Sequence, residues 1–281
     1  MSSGEHAVIG QLLLTTVVAF FALALPGYWL IRRYWPESGW NLGGSVTTSC
    51  FRKYDLLILG AIVVYYIMSW RALRGVDSVL SEITSGAVLG SAVFYLIGAA
   101  LVPVLLFQRA NLVEYFGLRW EKWLWIFLIV PVFLGVIYFS RVLVLFSGWD
   151  EAVKAHFGTQ LQQLVQLLMK SDDRGLVLAM VFAAVIAAPI AEEVIFRGYI
   201  YPVVKRYSDG WFAALFSASL FGAVHMNLLG FPMFVIIGLA MVILYEKSGS
   251  IWPCIFCHMA FNGMGVGMIL LARFLQYPLP V

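Results

Sequence analysis

Two adjacent glutamates, Glu192 and Glu193, and an arginine, Arg197, stand inside an apolar run that extends from Leu176 to Val204. No other feature limits the fold of this chain so tightly. About 20 apolar residues suffice for a helix to cross a bilayer, and this run is long enough. An ionisable side chain at mid-membrane costs about 2.5–3.5 kcal/mol on insertion scales, so three of them within six positions need a purpose. Val177 to Ala191 carries no charge, which argues against a solvated helix face. A structural ion pair accounts for part of the group, because Glu193 and Arg197 are spaced i,i+4. Glu192 points about 100° away from Glu193 and has no local partner. An unpartnered buried carboxylate is a poor structural element and a plausible base. Pro189 lacks the N–H that would bond to Val185, so the helix is expected to bend just before the pair.

The remainder of the chain fits a membrane setting. Of its 281 residues, 62% are hydrophobic and only 12% charged, against about 25% charged in globular domains. The reading is an all-α, polytopic integral membrane protein of about eight transmembrane helices. The spans are placed at 7–31, 55–70, 86–107, 123–147, 176–201, 211–229, 231–245 and 251–273. Trp149 to Met169 carries Leu161, Leu164, Val165 and Leu168 at helical spacing, and reads as an amphipathic helix at the interface. Two regions follow: 1–175, transmembrane with the interfacial helix and no motif, and 176–275, which holds the chemistry. Ten loop cations, including Arg32, Arg33, Lys205 and Arg206, fall on one side and six on the other, which puts the ten-side in the cytoplasm. Arg141, near the end of the fourth span, is expected to snorkel. No basic tract suggests nucleic acid as a partner. Ala22-Leu23-Ala24 has a cleavage-like spacing, but no basic n-region precedes it, and Arg32-Arg33 reads as a retained anchor.

The later spans add His225, His258 and Asn262, the last two spaced i,i+4 on one face. Each alone reads as interhelical glue. Together they pass a depth test. Counted from the same membrane side, Glu192 lies roughly 18 Å in, His225 roughly 21 Å, Asn262 roughly 16 Å and His258 roughly 10 Å. Three antiparallel helices thus bring polar groups to similar depth. A water held between Glu192 and His225 can be deprotonated and aimed at a carbonyl. The Asn262 amide and an N–H of His258 can then donate to the tetrahedral oxyanion. That chemistry is peptide-bond hydrolysis within or at the membrane.

Glu192-Glu193-x-x-x-Arg197, Phe221-x-x-x-His225 and His258-x-x-x-Asn262 stand in order and at the spacing of three motifs. In these residues the sequence resembles the CAAX-protease and bacteriocin-processing (CPBP, or Abi) family, over about Ile186–Gly265. The family includes type II CAAX prenyl endopeptidases, which are glutamate-type intramembrane proteases of eight helices. The resemblance implies that Glu192 and His225 activate water and that His258 and Asn262 form the oxyanion hole. It also implies a membrane-embedded or lipidated protein or peptide substrate, and residence in a cell (inner) membrane. No cofactor or metal is expected, although a zinc reading of such proteins leaves metal dependence open in principle.

Competing readings have their own residues. Cys254-Ile255-Phe256-Cys257-His258 is formally the C-x-x-C-H pattern of covalent haem, and Cys254, Cys257 and His258 are three conceivable zinc ligands. Small buried cysteines in a packed helix are the preferred reading. Three cysteines make no disulfide framework. A proton-coupled transporter also uses mid-membrane Glu and His, but usually shows an internal repeat, and none is visible. A catalytically silent membrane scaffold of the same family is the remaining alternative.

Overall fold

The computed structural model describes residues 20–21, 23–34, 44–73, 83–157 and 163–277. Among them the regular structure is helical throughout, with no strand. The helices are α1 (23–34), α2 (Asp55–Leu73), α3 (Ser85–Leu106), α4 (Trp123–Phe146), α5 (Trp149–Phe157), α6 (Gln163–Lys170), α7 (Arg174–Tyr207), α8 (Gly210–Val224), α9 (Phe231–Ser248) and α10 (Trp252–Phe274), with a single helical turn, Leu112–Tyr115, between α3 and α4. Five of these, α3, α4, α7, α9 and α10, are long and apolar enough to cross a membrane. The apolar part of α2, Asp55–Tyr66, and the whole of α8 are shorter. The first expected span, 7–31, falls mostly outside the described residues; each of the other seven overlaps a helix, and five of those helices are long and apolar enough to cross a membrane.

The outer helices present apolar surface outward. On α3, Val93, Ile97, Leu101 and Val104 form an exposed apolar stripe, and on α4 Phe127 and Phe146 are 80% and 86% exposed. Contiguous apolar surface of that kind has no stable place in water. Helix α7 is the opposite case, with every residue from 195 to 204 buried. It forms the axis of the molecule. Helix α3 packs along its 188–195 stretch, α10 along 183–187, and α8 along its C-terminal turns. Helices α8 and α9 pack closely because Gly238 has no side chain there; a Cβ would meet Ala218 Cα at 2.8 Å.

The expected bend at Pro189 takes a specific form. Ala183–Ala187 is a π-helical segment, in which the Ala188 N–H bonds to Ala183 O. A second π segment, Phe196–Ile200, stands in the same relation to Pro202. Widening the turn before a proline removes the clash between its ring and the preceding carbonyls. It also strands acceptors. Ala184 O would bond Ala188 N in an α-register and residue 189 in a π-register, but the first is taken and the second is Pro189. Its donor comes from another helix, the Asn262 amide of α10, at 2.8 Å. Gly198 O, whose α-helical donor would be Pro202, accepts from Tyr115 Oη at 2.9 Å.

Three expectations need correction. The sixth span, 211–229, ends as a helix at Val224, so His225 caps α8 and does not lie within it. Met226 is in the left-handed region at φ 51°, and Asn227 Oδ1 accepts from Gly230 N at 2.9 Å, so a turn replaces the last helical residues. The interfacial helix is two helices, α5 and α6, with 158–162 outside the described residues. Arg141 does not snorkel alone; it forks onto Asp150 of α5, with one of its bonds at 3.0 Å.

Candidate active site

Glu192 and Glu193 sit on the α-helical stretch of α7 between the two π segments. Their divergence by about 100° sends the two carboxylates to different neighbours. Glu193 is fully buried. Its carboxylate lies 3.1 Å from Arg197 Nη1 through Oε1 and 3.1 Å from Arg197 Nε through Oε2. Arg197 is 1% exposed, and its Nη2 donates to Gly238 O at 3.3 Å across the close α8–α9 contact. Its guanidinium also lies 4.8 Å from the ring centre of Phe221. The i,i+4 pair read from the sequence is therefore present.

Glu193 has a second partner that spacing did not reveal. His258 Nδ1 lies 2.8 Å from Glu193 Oε1. Paired with Arg197, the carboxylate oxygen accepts, so Nδ1 carries the hydrogen. The ring is thereby oriented with Nε2 directed at Glu192 Oε2, 3.6 Å away. His225 reaches the same oxygen from the end of α8, its Nε2 at 3.9 Å. Its Nδ1 lies 2.7 Å from Phe221 O, and a carbonyl only accepts, so here too Nδ1 holds the hydrogen. In the neutral ring, Nε2 presents a lone pair towards Glu192. The His225 ring is clamped by Phe234, stacked at 4.1 Å and 20°, and by Phe221 at 4.6 Å. Phe221 touches Arg197, His225, His258 and Phe196 at once, and is the packing centre of the site.

Glu192 Oε2 is buried, and no protein group hydrogen-bonds to it. Both imidazole nitrogens stand just beyond direct hydrogen-bond range, at separations one water can bridge. Glu192, Glu193, Arg197, His225 and His258 thus form one connected group. Asn262 approaches from one turn along α10, with one amide N–H committed to Ala184 O. A carboxamide has a second N–H.

The competing ligand sets do not assemble. Cys254 and Cys257 are fully buried, Cys254 Sγ lies 3.4 Å from Met241 O, and His258 turns away to the glutamates. Among the described residues, no group of three His, Cys, Asp or Glu side chains has the geometry of a metal site.

Comparison with known proteins bears on the same stretch of chain. Residues 174–264 match the family model described as type II CAAX prenyl endopeptidase Rce1-like. A stretch of 83 residues is 34% identical to the curated protein "Putative membrane peptidase YdiL" of Bacillus subtilis (strain 168), covering 30% of this chain. The match spans 34% of that relative's length. No solved structure matches the chain significantly.

Proposed function

We propose that this chain is an intramembrane endopeptidase using water activated by Glu192, a reading supported by the match of residues 174–264 to the type II CAAX prenyl endopeptidase Rce1-like family model and by the likeness to the curated "Putative membrane peptidase YdiL". The observation that carries the reading is the convergence of two imidazole nitrogens on one buried, unbonded carboxylate oxygen. A water among Glu192 Oε2 and the two rings finds acceptors for both hydrogens, in Glu192 and His225 Nε2. A lone pair of its oxygen then faces outward, towards a substrate carbonyl. Attack forms the C–O bond while one proton moves to Glu192. The oxyanion collapses, the C–N bond breaks, and Glu192 returns the proton to the leaving amine. One water is consumed, its hydroxyl on the new acid and its hydrogen on the new amine.

Glu193 acts through its neighbours. It neutralises Arg197 and fixes His258, so only Glu192 remains as an uncompensated carboxylate. His258 Nε2 can donate to an oxyanion only when the ring carries a second proton. The second N–H of Asn262 supplies the other donor. The substrate is a membrane-associated protein or peptide, with lipidated CAAX-like termini as the first class to try, and the setting is a cell membrane.

The test uses purified full-length protein incubated with farnesylated and unmodified membrane peptides, with cleavage sites mapped by mass spectrometry. The reading requires cleavage by the parent and none by Glu192→Gln, which fills the same volume but takes no proton. Cleavage by Glu192→Gln at near the parent rate removes Glu192 as the base.

A further inference from the structure

The catalytic motifs lie wholly on α7, α8 and α10, yet a polar pair from the motif-free N-terminal region stands beside them. Tyr66 of α2 and Tyr95 of α3 are half-buried, with their hydroxyls 3.3 Å apart. Tyr66 packs on Phe196, one turn after Glu192, at 6.2 Å between ring centres. Tyr95 shares the wall of a cavity of about 900 Å³ with Ala188, one turn before Glu192. The pair therefore brackets Glu192 along α7, Tyr66 from the Phe196 side and Tyr95 from the Ala188 side. The cavity is bounded by α3 residues such as Ser91 and Phe94 and by Ala183 of the first π segment, and is mostly apolar. It runs from the α2–α3 side to Ala183 and Ala188 of α7, the latter one turn before Glu192.

A hydroxyl pair has a useful asymmetry. One O–H is spent on the other oxygen, while the acceptor's own hydrogen stays free to point elsewhere. Glu192 Oε2 receives no hydrogen bond from either tyrosine. Donors for a developing oxyanion are otherwise scarce, since one Asn262 N–H and the His258 Nδ1–H are already committed. We propose that the Tyr66–Tyr95 pair is a further catalytic element, whose free O–H donates to the scissile carbonyl oxygen of a substrate reaching Glu192 through the α2–α3 cavity. This rests on the proteolytic reading above. It makes the N-terminal region part of the chemistry as well as the scaffold. The two tyrosines act as one unit, one donating to substrate and the other polarising it.

The test compares kcat, KM and melting temperature of the full chain in detergent for Tyr66→Phe, Tyr95→Phe, the double variant and Tyr138→Phe, a tyrosine on α4. The probe is whichever peptide the parent cleaves and Glu192→Gln does not. Removing one oxyanion donor costs about 10²–10³ in kcat, so the single variants should lose at least about tenfold with KM within about threefold. The double variant should be no worse than the poorer single, because the two side chains share one donor. Tyr138→Phe should match the parent. Parent-like kcat per folded molecule in the double variant overturns the inference alone. A parent that cleaves none of the peptides overturns the proteolytic reading and this inference with it. Losses that track melting temperature and spare kcat per folded molecule make the pair helix glue and likewise overturn it.

Discussion

Replacing Glu193 by glutamine should unfold the site before it slows the chemistry. The substitution removes one charge, keeps the volume and leaves Arg197, 1% exposed, without its counter-ion. Breaking a buried pair by removing one partner costs about 3–5 kcal/mol, because the remaining charge is stranded. The only other hydrogen bond to Arg197 is the 3.3 Å bond to Gly238 O among the described contacts, and a carbonyl dipole does not neutralise a guanidinium. For a chain of this size that loss corresponds to a fall in melting temperature of about 6–20 °C. The assay is a thermal melt of Glu193→Gln in detergent beside the parent. A second variant, Glu193→Met with Arg197→Leu, removes the whole pair, and replacing a buried pair with apolar residues is often neutral. Its melting temperature should recover to near the parent value. Its kcat should stay low, because His258 Nδ1 has lost the carboxylate that orients it. If Glu193→Gln melts within about 2 °C of the parent, the ion pair is not what holds these helices together.

The extent to which the sequence anticipated this site depended on the kind of contact. The Glu193–Arg197 pair lies one turn apart on one helix, so spacing alone revealed it. The divergence of Glu192 from Glu193 followed from the same geometry. The His258–Glu193 bond did not, because it depends on how α10 is rotated against α7, and the π segments set that register. The bond from Asn262 to Ala184 O becomes intelligible once Pro189 is known to force a π segment and not a simple kink. The end of α8 was misplaced because apolar residues continue through Leu228, Leu229 and Phe231, and hydropathy does not register a left-handed Met226. Tyr66 and Tyr95 carried no signal, since tyrosines 29 positions apart on two apolar helices match no periodicity.

Two further outcomes follow from particular contacts. Asn262→Ala strands Ala184 O, a cost of about 1–3 kcal/mol, and also removes an oxyanion donor, so melting temperature and kcat should both fall; Asn262→Asp adds repulsion and should be slower still, whereas kcat per folded molecule within a few-fold of the parent for both variants makes Asn262 structural only. Arg141 holds the Asp150 carboxyl below the usual carboxylate range, so the stability this pair contributes is present above about pH 4, the unfolded value, and is lost as pH falls through the lower folded one. The difference in melting temperature between the parent and Asp150→Asn should therefore be constant from pH 7 to about pH 5 and shrink towards pH 3, and a difference that grows on acidification contradicts the assignment.

The most direct test of water activation by Glu192 is a single-turnover cleavage in water enriched in oxygen-18, with enzyme in excess over peptide. If the carboxylate acts as base on a water, the first-turnover product carries one heavy oxygen in its new carboxyl group and Glu192 carries none. If the carboxylate attacks the carbonyl itself, the amine leaves and a Glu192–acyl anhydride forms; water opening it at the Glu192 carbonyl puts the label in the peptide containing Glu192 and leaves the first product acid unlabelled. An unlabelled first product with label on Glu192 contradicts the account.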